Sequence, residues 1–381
     1  MKRFTVLLLA LCMVAAALPI TAHATPTQVS AKSAVLMDTA TGTVLFEQNA
    51  HEKLAPASVT KVMTMLLIME AIDQGRIGWD DTVTASEAAA AKGGSQVYLK
   101  VGETMTVTDM VKSIAVSSAN DCACAMAEYI AGSEEAFVQS MNQRAQELGM
   151  NDSHFVNCTG LDDEVNAAEH LTSAYDIAIT SRQLLLHHPD IKKFTTIWMD
   201  TIRGGTFGLS NTNKLVRFYP GATGLKTGFT AKAGYCLSAS AMRDGMELIA
   251  VVMGSATSKD RFAACKQLLD QGFANYALIT PETPQAQVNV KLGITDAVQA
   301  QPATDPRLLI DKSQKNAVTT TLTMDSPVTA PVSKGQRLGT MTIRCGEQIL
   351  AQIPMVAQQA VPKLTWGQLF MKVLGKIAMA K

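Results

Sequence analysis

The chain has 381 residues, 47% of them hydrophobic and 17% charged, with 33 basic side chains against 33 acidic ones. That length exceeds one ordinary domain and leaves room for two or three with a sizeable core. The balanced charge excludes a whole-chain electrostatic bias toward nucleic acid and favours no other partner by charge alone.

Residues 1–24 read as an export signal, with Lys2 and Arg3, an apolar run over 6–18, and Ala22-His23-Ala24 as a small-x-small cleavage site. Cleavage starts the mature chain at Thr25 with a net charge of about −2. An uncleaved signal anchor is the other reading, but the apolar run is short, and no later stretch is apolar enough to span a bilayer.

Residues 33–49 form a hairpin pattern, 34–37 and 43–46 flanking a turn at 38–42. Pro56-Ala57-Ser58 opens the apolar segment 62–72, which lacks Gly and Pro and ends near Gly75, as a buried helix does. Ser58 thus lies at a helix start. Residues 82–185 read as mainly helical, over 87–92 (stopped by Gly93-Gly94), 107–116, 122–130 and 173–186. Strands return at 234–242 and 246–254 around Asp244-Gly245, a hairpin signal, and 258–276 forms a closing helix. An antiparallel sheet built from both ends of this stretch follows.

Two prolines in 280–284 break the periodicity and mark a boundary, giving a first domain over 25–280. A small all-β domain over 286–361 follows, with alternating runs at 288–292, 318–324, 340–344 and 349–353. The tail 363–381 carries four lysines and no acid, and Trp366, Leu369, Phe370, Val373 and Ile377 recur at helical spacing. That composition describes an amphipathic helix lying in a membrane interface, although a helix packed on the β domain repeats in the same way. There is no internal repeat.

Cys12 leaves with the signal, and Cys122, Cys124, Cys158, Cys236, Cys265 and Cys345 form neither a disulfide framework nor a zinc pattern. They read as small buried thiols. No His-Glu-x-x-His exists, and His187-His188 is a lone pair in a helix-end loop, so no metal and no cofactor is expected. Without Gly-x-Ser-x-Gly, a His-based hydrolase has no nucleophile motif, and His170 reads as structural.

Three short motifs carry chemistry. Ser58-Val59-Thr60-Lys61 is the only Ser-x-x-Lys, and its three-residue spacing puts hydroxyl and amine on one helix face. A lysine can deprotonate a serine only where its surroundings favour the neutral amine. Alone, the tetrapeptide also fits a capped helix with a solvated lysine. Ser118-Ala119-Asn120 places a hydroxyl and a carboxamide at a helix junction, to relay a proton and hold an amide; helix capping explains it equally, and Ser140-Met141-Asn142, mid-helix, shows how common the triplet is. Lys226-Thr227-Gly228 precedes the strand 234–242. It supplies positive charge, a hydroxyl for a carboxylate and a backbone N–H for an oxyanion hole with that of Ser58, where a plain turn would use the same residues.

Ser-x-x-Lys, a Ser-x-Asn triplet and Lys-Thr-Gly in this order are the signature of penicillin-recognising serine enzymes. The stretches 56–64, 118–121 and 224–234, with Asn157-Cys158-Thr159-Gly160-Leu161 and Ser173-Ala174-Tyr175-Asp176, closely resemble the low-molecular-mass penicillin-binding D-Ala-D-Ala carboxypeptidases over about residues 30–276. The β domain and amphipathic tail are similar to that family too. The resemblance implies a mixed α/β, β-lactamase/transpeptidase-like fold: an antiparallel sheet flanked by helices with an all-helical insertion over about 80–200, then the all-β domain and tail helix. It implies Ser58, Lys61, Ser118 and Asn120 as catalytic residues and Lys226, Thr227, Gly228 and Phe229 as substrate-binding ones.

Two departures stand out, Ala119 where many relatives carry glycine and Phe229 where some carry histidine; neither position supplies a required side chain, and position 229 acts through its N–H. The arginine some relatives carry near Asn211-Thr212-Asn213 is missing. The implied partners are peptidoglycan stem peptides ending in D-Ala-D-Ala, β-lactams as inhibitors, and the membrane surface through the tail, with the protein exported and peripheral on the outer face of the bacterial cytoplasmic membrane. A β-lactamase shares the nucleophile but needs efficient water activation for deacylation. A non-catalytic penicillin or muropeptide sensor needs only binding.

Overall fold

The computed structural model describes residues 28–162 and 166–379; the signal expected at 1–24 and the mature start at Thr25 lie outside them. The first described strands are β1 (Ser33–Asp38) and β2 (Val44–Gln48), an antiparallel hairpin. Its turn is closed by the Asp38 carboxylate, which accepts from the Thr41 N–H at 2.8 Å and the Thr41 hydroxyl at 2.7 Å. A 3-10 turn, Ala57–Thr60, leads into α1 (Lys61–Asp73). With Met63, Met65, Leu66, Ile68 and Met69 all buried, α1 is apolar around its circumference, as a central helix must be.

The following region carries β3 (Thr82–Thr84), α2 (Glu87–Ala90), β4 (Thr104–Thr106), α3 (Val107–Ser117), α4 (Asn120–Ala131), α5 (Glu134–Glu147), α6 (Ala174–His187), α7 (Lys192–Thr195), β5 (Met199–Ile202), β6 (Phe207–Ser210) and α8 (Leu215–Phe218). Side chains of Thr106, Ser133 and Ser173 accept N–H bonds from Asp109, Ala136 and Asp176, and so fix the starts of α3, α5 and α6. The region expected to be all-helical, about 80–200, also holds a short ribbon, β3 with β4, and a second, β5 with β6, follows at its end. Runs of three or four residues are too short to establish a period of two.

β7 (Ala222–Thr230), β8 (Gly234–Arg243) and β9 (Met246–Ser255) complete a five-stranded sheet in the order β2-β1-β9-β8-β7, so strands from both ends of the segment meet at β1 and β9. The alternation of side chains sends Val35, Met37, Ile249, Val251 and Met253 into one core with α1 and the helical region. It sends Leu36, Leu248, Ala250 and Val252 into a second core under α9 (Ser258–Asn275), with Leu268 and Leu269. Both faces are therefore covered, and β7 is left as an edge.

β10 (Tyr276–Ile279) precedes the proline-rich break, yet it pairs with β13 (Leu308–Asp311) beyond it, so a ladder crosses the expected boundary. Beyond the break, β11 (Ala286–Lys291), β12 (Ala297–Pro302), β14 (Val318–Met324), β15 (Val328–Thr329), β16 (Arg337–Cys345) and β17 (Gln348–Ala357) form a six-stranded sheet in the order β14-β16-β17-β12-β11-β15. Helix α10 (Trp366–Met379) follows. Lys372 pairs with Asp296, and Trp366, Phe370 and Met371 stand 88%, 64% and 67% exposed, an unburied apolar surface that sets α10 apart from the core helices. No helix among the described residues is long and apolar enough to cross a membrane.

Candidate active site

Ser58 sits in the 3-10 turn and Lys61 begins α1, which puts both on one side of the chain. The Lys61 Nζ lies 3.0 Å from the Ser58 Oγ and donates to the Thr159 carbonyl at 2.8 Å. Lys61 is completely buried. Burial pushes its ammonium down to about 7, against the opposing pull of the Asp121 carboxylate. Near neutral pH a large fraction of molecules therefore hold an amine, and the Thr159 carbonyl occupies one of its N–H groups.

The turn that presents Ser58 is held from behind. Ala57 has φ of 48°, unusual for a residue with a Cβ. The Thr60 hydroxyl donates to the Ala57 carbonyl at 2.8 Å and meets the His170 Nε2 at 2.8 Å, while the Val156 N–H donates to the His170 Nδ1 at 3.2 Å. The His170 proton must then sit on Nε2 and point at Thr60. Burial holds His170 down at about 4, so the ring stays neutral and structural, as its lack of a motif suggested.

The loop carrying the Thr159 carbonyl is equally over-determined. The Asn157 Oδ1 accepts from the N–H of Gly160 at 2.7 Å and of Thr159 at 3.2 Å. Glu134, at the start of α5, accepts the Cys158 N–H at 3.0 Å and pairs with Lys92 at 2.7 Å. At Gly160, with φ of +83°, an added Cβ would stand 1.8 Å from the Ala57 carbonyl oxygen, so this loop and the Ser58 turn touch only because that side chain is absent.

Ser118 caps α3 in the left-handed conformation, φ 64°, and Asn120 begins α4; both are buried. The Asn120 amide donates to the Gly93 carbonyl at 2.7 Å, and its Oδ1 has no partner, leaving one buried acceptor for an incoming N–H. Ala119, the departure between them, is fully buried among core side chains. Asp121 accepts the N–H groups of Val97 and Leu99 at 3.1 and 3.0 Å and thereby ties the 93–99 loop to α4.

Lys226, Thr227 and Gly228 lie on the edge strand β7, with Gly228 against the Ser58 turn. A Cβ on Gly228 would stand 2.7 Å from the Pro56 carbonyl oxygen and 3.1 Å from the Ser58 nitrogen. Lys226 is buried and donates to the Thr227 carbonyl at 2.7 Å; burial first, then the charges of Lys61 and Arg261, push it well below the usual lysine range. The Thr227 hydroxyl donates to that of Thr212 at 2.6 Å. Phe229 is 53% exposed and stacks on Tyr235 at 4.3 Å between ring centroids, so its side chain forms part of the rim while its backbone continues the edge.

Motif reasoning missed Arg261. It comes from α9, packs over the Tyr235 ring at 5.3 Å, and donates to the Gly228 carbonyl at 2.9 Å. Its Nε has no partner. No local pattern marks it, because only the packing of α9 on the sheet brings it behind β7. In the segment 211–213, where an arginine is absent, Asn211 and Asn213 hold the Ile197 and Gly224 carbonyls at 2.7 and 2.9 Å. Lys61, Lys226 and Arg261 lie within electrostatic reach of one another beside the serine, and burial holds the two lysines toward the neutral amine, so the group can take up positive charge when a ligand brings a carboxylate.

The described cysteines are all unpaired, five of them buried and Cys345 half-buried, and no cluster among the described residues suits a metal. Cys122 and Cys124 share a helix without sharing an environment: burial raises both thiols, next to Asp121 for Cys122 and next to Glu134 for Cys124.

Residues 20–257 match the family model described as D-alanyl-D-alanine carboxypeptidase, and residues 273–363 match that of the penicillin-binding protein 5 C-terminal domain. The D-alanyl-D-alanine carboxypeptidase DacF of Bacillus subtilis is 44% identical over 352 residues, 91% of this chain and 89% of that protein. DacC of Escherichia coli is 34% identical over 87% of this chain and 84% of its own length. Among solved structures, penicillin binding protein 5 from Haemophilus influenzae superimposes with a TM-score of 0.76 at 31% identity, covering 89% of this chain and 99% of that one. Penicillin-binding protein D2 from Listeria monocytogenes, in its ampicillin-bound form, gives 0.57 at 31% identity over 65% of this chain and 98% of its own.

Proposed function

Since the chain belongs to the D-alanyl-D-alanine carboxypeptidase family, and is a serine-type carboxypeptidase that works through an acyl-enzyme and binds penicillin, we propose that Ser58 is its nucleophile and Lys61 the base. The observation that carries this reading is the 3.0 Å approach of Lys61 Nζ to Ser58 Oγ in a fully buried setting. Ser58 attacks the carbonyl between the two terminal D-alanines while Lys61 takes its proton. The N–H groups of Ser58 and Phe229 receive the developing oxyanion. Asn120 aligns the peptide with its free Oδ1, and Thr227, backed by Lys226 and Arg261, binds the terminal carboxylate. That carboxylate brings the counter-charge the desolvated Lys226 lacks, so Lys226 gains a proton as substrate arrives and passes it through Ser118 to the departing D-alanine. Water then releases the shortened peptide from Ser58.

Substituting Ser58→Ala is expected to abolish both D-alanine release from a pentapeptide and covalent penicillin labelling, read by mass spectrometry; retention of either at the wild-type level removes the assignment. The family acts on peptidoglycan D-Ala-D-Ala termini at the cell wall and binds β-lactams. The finer placement belongs to the same proposal. A signal over 1–24 exports a catalytic domain over 25–280, the β domain over 286–361 holds it off the surface, and the tail 363–381 lies peripherally on the outer face of the cytoplasmic membrane. The exposed Trp366, Phe370 and Met371 support that last step.

A further inference from the structure

A cavity of about 550 Å³ lies where the β8–β9 hairpin, the end of α9 with the start of β10, and the 3-10 turn Lys312–Ala317 converge. It is remote from the nucleophile. Gly228 pairs with Cys236 near one end of β8, and Arg243 closes the other end, roughly 20 Å further along the strand. Neither half of the chain builds the cavity alone, and junctions between units are a preferred place for ligand sites of this size.

Its polar groups are arranged for an anion. The Arg243 guanidinium is clamped between two rings, 4.5 Å over Tyr219 and 4.7 Å over Phe273. Its Nε donates to the Pro220 carbonyl at 3.3 Å. Its Nη1 stands 3.8 Å from the Asp270 carboxylate, beyond hydrogen-bond length, and that carboxylate already accepts the Tyr219 hydroxyl at 2.8 Å. The fork of Nη donors is thus rigidly placed and largely unspent. Lys312 is held by the Phe273 carbonyl at 2.5 Å with two N–H groups to spare. Lys315, also on the lining, has no ion pair or hydrogen bond among the described residues. Against these three cations stand Asp244 on the lining and Asp270 behind Arg243, while the half-buried Tyr276 adds an aromatic wall.

We propose that this cavity is a second, non-catalytic docking site for peptidoglycan, taking a carboxylate-bearing stem peptide together with its attached amino sugar. The choice of ligand rests on the carboxypeptidase reading; the anion-binding character does not. A planar arginine fork suits a carboxylate, and aromatic walls suit the C–H faces of a sugar ring, a pairing that favours a muropeptide over a phosphate polymer. Because both halves line the site, an occupied cavity ties the β domain to the catalytic sheet and holds a glycan strand beside an enzyme that must reach many stem peptides in succession.

The test uses the full chain with Ser58 blocked by penicillin, or the Ser58→Ala protein should labelling fail, so that collapse of the catalytic reading is seen separately from collapse of this one. Calorimetric titration with a disaccharide-tetrapeptide is expected to give saturable binding. Lys315→Glu, at an exposed position, is expected to weaken it by about tenfold or more, the order of one charged contact, and so, though less, is Asn316→Asp, which puts a further acid on the same lining. Amidation of the peptide carboxylates is expected to abolish the heat. Hydrolysis of a short acyl-D-Ala-D-Ala peptide by unblocked Lys315→Glu should stay at the wild-type rate. Absence of saturable binding, equal affinity in Lys315→Glu, or tighter binding of glycerol phosphate than of the muropeptide would each overturn the proposal.

Discussion

At the scale of single residues, the chemistry turns on which form Lys61 takes. Burial lowers its ammonium to about 7, so protonation, which removes the base, sets in as pH falls through that value. The second-order rate of acylation by penicillin is therefore expected to rise from pH 5 to pH 9 with a half-height near 7; a flat profile would remove Lys61 as the base. In the same assay Glu134→Ala, which frees the Cys158 N–H and loosens the Thr159 carbonyl on Lys61, should lower the plateau about 10- to 100-fold, and Glu134→Gln, still an acceptor, should restore most of it. Ser58, Lys61, Ser118, Asn120 and the 226–228 triplet could be nominated from the sequence because their types and order are local. Glu134, the Thr159 carbonyl and Arg261 were not, since each acts through a neighbour remote in the chain, and a sequence window does not report who packs against whom.

At the scale of elements, the site is an approach of three segments: the nucleophile turn, the α3–α4 junction and the edge strand β7. Gly228 sets the last gap. Gly228→Ala puts a methyl 2.7 Å from the Pro56 carbonyl and 3.1 Å from the Ser58 nitrogen, and strand or turn must yield. Acylation by penicillin is expected to fall about 100-fold with the far-ultraviolet circular dichroism unchanged; an unaltered rate would show that this contact does not position the nucleophile. The long elements could be read from periodicity and stop signals, α1 from its apolar run and β8–β9 from Asp244-Gly245. β3 with β4, β5 with β6, and β12, β13 and β15 could not, because runs this short, or with this little alternation, are made strands by the partners they meet.

At the scale of the whole molecule, the proposal that the β domain and α10 set where the cleft works rests on the exposed apolar face of α10. Deleting 363–381 is expected to remove most binding to anionic vesicles and to leave pentapeptide hydrolysis in solution unchanged; undiminished vesicle binding would dispose of the anchor. Binding by the intact chain should also weaken as salt is raised, as attraction between lysines and lipid is screened. The sequence by itself determined the family, the long helices and strands, and the nomination of Ser58 as nucleophile with Lys61 as base, because those depend on residue type and short-range spacing. Only the tertiary structure decided that Lys61 is dry enough to be a base, that Arg261 joins the pocket and that β10 crosses the expected boundary to pair with β13. Desolvation, electric field and strand pairing are sums over segments tens to hundreds of residues apart, and they come into being only when the chain has closed on itself.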